Sequence, residues 1–388
     1  MKYDVIIIGG GASGLMLAAS LDLSGRGRGL ILEKTAKPGS KLLMSGGGRC
    51  NITHGGSIKD FVNAYGDAGL KLRKCLYRHS NTELVSWLEE HGISVTDEGG
   101  RIFPASFRSS DALRAFTSQA RSNGWEIKTG EDVTCIAHSD ESGNAPGFWT
   151  IVTRSGSSYE TGRLVIASGG ITYPETGSDG SMFPVLEDLG LDIEPLRPAL
   201  TPVYVRDYPY EELSGVSLPD VEVTAFSSDA AFTCKGKAAR MRGDLLFTHR
   251  GFSGPVILNI SRYACPGQVI RIRYLRDLDE LPRSMQRILK DRSRGPSGDV
   301  RTTRLAALLD ADDFVVSSVD SRGMVTAGGI SLEEIDMSSM QIDPDLAGAP
   351  GLYAIGEAID ADGITGGYNL QMCWSTARTA ADAISQSL

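Results

Sequence analysis

Gly9, Gly11 and Gly14 stand in the order G-x-G-x-x-G, between an apolar run at 3–8 and an apolar stretch from 13 to 23. That spacing predicts a buried strand, a tight turn and a helix, the context in which such glycines hold the pyrophosphate of a dinucleotide. Gly9 permits the turn, Gly11 lets the backbone approach a phosphate, and Gly14 lets the helix settle on the strand. The phosphates would meet the free N–H groups at the helix start. A second strand, predicted at 29–33, ends in Glu33, 24 residues after Gly9. A carboxylate there can accept both ribose hydroxyls and repels a 2′-phosphate, so an unphosphorylated adenosine is expected.

The far end of the chain repeats the pattern. Residues 352–357 read as a short buried strand, Asp360 and Gly363 fall in a loop, and Gly366-Gly367-Tyr368-Asn369-Leu370 opens a helix running to about 384. A strand, loop and helix so late in the chain suit a second contact on a long dinucleotide. The positive end of that helix would stabilise negative charge forming at N1/O2 of a reduced flavin.

Between these ends lie the reactive candidates. Arg49 sits in the glycine-rich stretch 46–48; it either holds an anionic substrate or flavin, or ties the loop to a carboxylate. Cys50 lacks the partner of a CxxxxC disulfide reductase, since position 55 is glycine, and reads as a buried thiol. His249, in a polar glycine-rich segment, is a candidate proton donor or a structural histidine. Tyr173 and Tyr368 could each cover a ring face or donate a proton. No HExxH, no clustered His/Cys set and no G-x-S-x-G occurs, so neither a metal centre nor an α/β-hydrolase is expected.

The 388 residues carry 41% hydrophobic and 22% charged residues and a formal net charge of −9, which fits a folded protein of two or three domains. An acidic chain is a poor prior for gripping nucleic acid over its whole surface. Within it, however, 262–304 holds 11 basic and 5 acidic residues. That stretch is either a solvated face or a patch for a polyanion. The apolar opening is too short to span a bilayer, and nothing later is long enough. With six scattered cysteines, the expectation is a cytoplasmic chain with no membrane contact.

The expected class is α/β: a Rossmann-like dinucleotide-binding domain with an inserted mainly-β domain and a short helical subdomain. The binding domain is placed at 1–191 and 326–388, the insert at 192–325, and its helical piece at about 276–312. Two helices are expected near 70–91 and 109–123, a loop at 34–51, a hairpin-like stretch over 126–160, and short strands at 200–206, 221–226, 245–248 and 269–274.

Six blocks carry a resemblance to a known family: IIIGGGASGLMLAA (6–19), GSKLLMSGGGRCNITH (39–54), GRIFPASFRSSD (100–111), LVIASGGITYPETGSDG (164–180), LFTHRGFSGPVILNISR (246–262) and GLYAIGEAIDADGITGGYNLQMCWSTA (351–377). The chain resembles the bacterial BaiN-like, aminoacetone-oxidase-like NAD(P)/FAD-dependent oxidoreductases, flavoproteins of the glutathione-reductase type. The resemblance implies FAD, with NADH or NADPH as a transient electron donor, and a small unsaturated or carbonyl-conjugated substrate. Amine or alcohol oxidation and reduction of a uridine in RNA are its alternatives. By matching motif, Gly9, Gly11, Gly14 and Glu33 would hold the adenosine and pyrophosphate, with Ala12, Ser13, Lys34, Lys41, Val133 and Ala167 in the same cofactor set. Ser45, Gly46, Gly47, Gly48, Arg49, Cys50 and Asn51 would line the flavin, and Gly169 and Gly170 would pass the dinucleotide. Gly356, Glu357, Asp360, Gly366, Gly367, Tyr368, Asn369 and Gln371 would contact the ribityl chain and ring. Arg49, His249 and Tyr173 are the catalytic candidates. The insert is shorter than the family's usual one, and 339–343 reads SMQID where relatives tend to have TMESK; both departures touch the substrate side.

Overall fold

A computed structural model describes residues 1–139, 147–226, 239–274 and 311–388. These divide into two compact units, one formed by Met1–Arg197 with Val325–Leu388, the other by Pro198–Met324.

The first unit is built on a seven-stranded sheet. Val5–Ile8 lies inside it, parallel to Leu164–Ile166 on one side and to Gly29–Glu33 on the other. Leu352–Ala354 continues the parallel run beyond Leu164–Ile166, so strands from both chain ends share one sheet. The residues are apolar without alternation, and every residue of these four strands is buried, as in a sheet covered on both faces. Ala12–Ser20 is the first crossover helix and packs on the C-terminal helix Tyr368–Ser387.

Three expectations need correction. The segment 34–51 is not all loop: Ser40–Met44 is a short helix and Ser45–Gly48 a 3-10 turn. The turn escapes a periodicity reading because its glycines supply no apolar face. The helix expected at 70–91 is two, Asp67–Arg78 and Asn81–Glu90. Ser80 and Glu83 form a capping box there, a start signal that apolar spacing alone passes over. Trp125–Thr129 is no part of a hairpin; it pairs parallel to Gly29–Glu33 as the sheet's edge. The antiparallel partners are Val133–Ser139, Phe148–Thr153 and Ser158–Thr161.

The second unit, among the described residues, is a closed barrel. Its strand order is Val203–Val205, Gly251–Ser253, Ala239–Phe247, Ser217–Phe226, Val269–Arg273, Ala311–Val319. Alternation explains it: Val221, Val223 and Ala225 point inward, opposite Ile270 and Ile272. The helical piece expected at about 276–312 and most of the basic stretch at 262–304 fall largely outside the described residues. No helix among the described residues is long and apolar enough to cross a membrane. Cys50, Cys75, Cys135 and Cys373 are free, whereas Cys265 is disulfide-bonded.

Candidate cofactor site

The glycine turn after Val5–Ile8 is shaped by backbone contact. Gly9 has φ +108°, and a Cβ on it would lie 2.3 Å from the Ala167 carbonyl oxygen. A Cβ on Gly14 would lie 2.1 Å from the Gly9 carbonyl oxygen. These two glycines therefore let three segments touch: the turn, the crossover helix and the end of Leu164–Ile166. Gly11 differs, because a Cβ there meets nothing within 4 Å. Its backbone borders open space at the start of a helix whose first turn carries no acid.

Glu33 is buried at the end of its strand. Its Oε2 accepts from the Gly10 N–H at 2.8 Å, and its Oε1 accepts from the Thr35 N–H and hydroxyl, both at 2.7 Å. Lys34 points away, with Nζ 2.6 Å from Asp179 Oδ2 and 3.4 Å from Asp132 Oδ1. Glu131 N–H donates to the Glu33 carbonyl, which brings Val133 to the same end of the sheet. We expect Glu33→Ala to weaken FAD retention by about 1–3 kcal/mol, the loss of a charged acceptor. Equilibrium dialysis of FAD checks this, with Glu33→Gln as the variant that keeps the shape; wild-type affinity in the alanine variant would remove Glu33 from this role.

The second chain end closes on the first. Gly356 has φ +68°, and a Cβ on it would lie 2.4 Å from Ser13 Oγ on the crossover helix. Next to it, Glu357 Oε2 meets Lys41 Nζ at 2.5 Å, and Glu357 Oε1 accepts from the Thr326 N–H at 2.7 Å. Lys41 also donates to Thr172 Oγ1 at 2.7 Å and reaches Ser178 Oγ at 3.4 Å. Gly170 packs on Thr326, whose Oγ1 accepts from the Ile171 N–H. As a partly exposed pair, Lys41 and Glu357 contribute roughly 1 kcal/mol at most. Their importance is positional, since they bind the 40–44 helix, the 169–178 loop and the 326 and 357 segments together.

The glycine-rich block 45–51 lies across the start of the C-terminal helix. Gly46, Gly47, Gly48 and Cys50 all have positive φ, and a Cβ on Gly47 would meet nothing. With its amide set to satisfy its neighbours, Asn51 donates to the Thr53 carbonyl and accepts from the Gly367 N–H. Gln371 is fully buried; its oxygen accepts from the Thr53 hydroxyl at 2.6 Å, and its nitrogen donates to the His79 carbonyl and Ser375 Oγ. Asn369 clamps Gly363 and Ile364 with its amide. Asp360 N–H donates to the Ile330 carbonyl. Tyr368 is buried against His54, Phe61 and Tyr65.

Arg49 is half exposed, 3.4 Å from Glu98 and over the Phe103 ring, so it does tie the loop to a carboxylate. Tyr173 holds a left-handed backbone, and Lys41 Nζ lies 5.8 Å from its ring centroid. His249 lies in the other unit, exposed at the turn between Ala239–Phe247 and Gly251–Ser253. Cys50 is buried, and burial pushes its thiol up to about 11, so it stays protonated at neutral pH. A folded sample at pH 8 should therefore leave Cys50 unlabelled by a thiol-directed disulfide reagent, read by peptide mass mapping. Cys135, exposed on its strand, should react.

Residue spacing alone does not single out His54 or the Thr172–Ser178–Thr326 set. The hydroxyls carry no sequence pattern. His54 lies three residues after Asn51 in the same block, a cue outweighed by the glycines beside it.

These features fit a long dinucleotide lying between the two chain ends. Gly11 is open, the Ser168 hydroxyl is buried with no partner among the described residues, and the three glycines 46–48 carry no side chain. The two helices that pack on each other, Ala12–Ser20 and Tyr368–Ser387, begin beside these segments, and a helix start favours an anion.

A family model described as "HI0933-like protein Rossmann domain" matches residues 3–383. The chain is 29% identical over 418 aligned positions to ribosomal RNA dihydrouridine synthase of Escherichia coli (strain K12), covering 97% of this chain and 96% of that one. It is 27% identical over 422 positions to 3-dehydro-bile acid delta(4,6)-reductase of Clostridium scindens, with 98% of each covered. Among solved structures it is similar to 3-ketosteroid delta1-dehydrogenase from Sterolibacterium denitrificans, at TM-score 0.52 and 13% identity over all of both chains. A flavocytochrome c3 fumarate reductase aligns at TM-score 0.51 and 14% identity, covering 99% of this chain and 78% of that one. At such identities the structural likeness speaks for the fold.

Proposed function

The chain belongs to the HI0933-like Rossmann-domain family as an FAD-dependent oxidoreductase, and from that premise we propose that it reduces a carbon–carbon double bond conjugated to a carbonyl. The carrying observation is what two full-length relatives have in common. Dihydrouridine is uridine with its C5–C6 bond saturated, a bond conjugated to the C4 carbonyl. A delta(4,6) bond system in a 3-oxo steroid is likewise conjugated to its ketone. The carriers differ, one an RNA and one a small molecule, but the reacting unit is the same.

Bound FAD would supply hydride transfer and electron storage. The chain's part is to hold and orient it. Gly11 and the start of Ala12–Ser20 would take the pyrophosphate, Glu33 the adenosine ribose, and Ser45–Gly48 with Gly366 and Gly367 the ring end. The start of the helix Tyr368–Ser387 would place positive potential there. NADH or NADPH is the donor this reading assigns; no second G-x-G-x-x-G is present to bind it permanently. Partners are thus the donor and the substrate, and the −9 charge favours a small substrate over RNA.

Anaerobic titration with NADH and NADPH tests the donor, by bleaching of the flavin band. The reduced protein is then offered 2-cyclohexenone, a 3-oxo-Δ4,6 steroid and a uridine-containing ribosomal RNA fragment. Recovery of the band by one of these is the expected result. Bleaching by an amine or alcohol, with none of the three restoring colour, would reverse the assignment. Salt-sensitive retention of the RNA fragment would move the substrate from small molecule to nucleic acid.

A further inference from the structure

We propose that His54 Nε2–H is the hydrogen-bond donor for the substrate carbonyl oxygen, a role that rests on the reductase reading above. The case is geometric. Asn81 is buried, and its side-chain nitrogen donates to the carbonyls of His54 at 2.7 Å and Gly56 at 3.0 Å, which pins the main chain. The ring is pinned as well. Its Nδ1 accepts from the Gly56 N–H at 3.0 Å, so Nδ1 carries no proton and Nε2 must carry it in the neutral imidazole.

One ring face stacks on Tyr368, with centroids 5.1 Å apart and planes 17° apart. A Cβ on Gly100, which has φ +85°, would lie 2.8 Å from Cε1 and Nε2; only a glycine leaves room for the imidazole there. Cδ2 lies 3.7 Å from where a Cβ of Gly366 would stand, so the ring borders the glycine pair that opens the C-terminal helix. Among the described residues Nε2 has no partner. A donor held by four separate contacts and left unused is preorganised for an acceptor that arrives from outside.

The charge state agrees. Burial lowers the imidazole below its ordinary value; Asp97 and Asp60 pull it back up, and Arg101 pushes it down. Those groups, with the Tyr368 phenol, are what face it, and the ring is neutral at pH 7. A neutral imidazole donates a hydrogen bond without becoming a proton source. In the reduction, the hydrogen and electron pair reaching the β-carbon come from the reduced flavin. The π pair of the double bond moves toward the carbonyl oxygen, where His54 Nε2–H stabilises the enolate. Water then gives the α-carbon its proton, and His54 ends as it began.

His54→Asn and His54→Gln separate the two ring nitrogens: the asparagine oxygen can still accept from the Gly56 N–H, and the glutamine nitrogen can stand in for Nε2. Each FAD-loaded variant is reduced by dithionite without oxygen and mixed with 2-cyclohexenone. For His54→Asn we expect a normal flavin content and melting temperature and reoxidation about 100-fold slower, the usual scale for losing one such donor. His54→Gln should recover part of that loss. In the wild-type protein, 15N-histidine NMR should show the Nε2–H tautomer, and adding the product ketone cyclohexanone should move its proton downfield. Wild-type reoxidation rates in His54→Asn would overturn the role. So would an Nδ1–H tautomer, or an Nε2 proton unmoved while cyclohexanone perturbs the flavin spectrum; these decide the matter even if the variants fail to fold. A wild-type protein that no conjugated carbonyl reoxidises removes the reductase reading, and His54's role with it.

Discussion

Gly14→Ala is expected to yield a colourless, destabilised protein, whereas Gly11→Ala is expected to yield a stable one that binds FAD poorly. The two changes add the same methyl group to the same turn, and their outcomes differ because of what each methyl meets. At Gly14 it would lie 2.1 Å from the Gly9 carbonyl oxygen, a main-chain atom that cannot step aside as a side chain can, and 3.1 Å from Ile7 Cγ2. Helix and strand must part. Overpacking of this kind costs about 3 kcal/mol, or roughly 6–12 °C in melting temperature for a unit of this size. At Gly11 the methyl meets no protein atom and occupies only the space a pyrophosphate would enter. Calorimetry of the cofactor-free proteins and FAD titration read the two effects separately. A Gly14→Ala protein that melts like the parent would mean the helix does not bear on the turn. Parental FAD affinity in Gly11→Ala would place the pyrophosphate elsewhere.

That contrast shows why one end of the site is legible from residue order. The turn, the crossover helix and Glu33 are contiguous, and each is bound by local geometry: a strand period, a glycine spacing, a carboxylate at a strand end. The parallel sheet follows from runs of apolar residues without alternation, and the second chain end announces itself by the same texture. What residue order conceals is every feature made by meeting across the chain. Lys41 finds Glu357 316 positions away, and Thr53 finds Gln371 across 318. Neither pairing has a period. Trp125–Thr129 reads as part of a hairpin from its antiparallel neighbours on the chain, yet its hydrogen-bonding partner is Gly29–Glu33. Flanking residues favour His249 over His54, because the stacking partner of His54, Tyr368, lies far along the chain. The barrel was legible as alternation, but its closure depends on Ala311–Val319 pairing with both Val203–Val205 and Val269–Arg273.

The joint at Gln371 is where this concealed layer should have its largest energetic effect. Gln371→Leu keeps the bulk and removes an amide that is fully buried and makes three hydrogen bonds. The His79 carbonyl retains the Ser375 hydroxyl as donor at 2.7 Å, so it is not stranded. The Thr53 hydroxyl, also fully buried, loses its acceptor. Leaving it unpaired, with the amide's own bonds gone, should cost about 2–3 kcal/mol. Urea unfolding should show that loss as a lower midpoint with an unchanged slope. Thr53→Val alone strands the Gln371 oxygen and should cost a similar amount. The double variant should recover much of the difference, because two apolar groups facing each other leave nothing unpaired. FAD affinity should fall in both single variants, since Asn51 bonds both the Thr53 carbonyl and the Gly367 N–H. Strictly additive losses in the double variant would show that Thr53 and Gln371 do not act as a pair, and the start of the C-terminal helix would then owe its placement to Asn51, Asn369 and the packing of Tyr368.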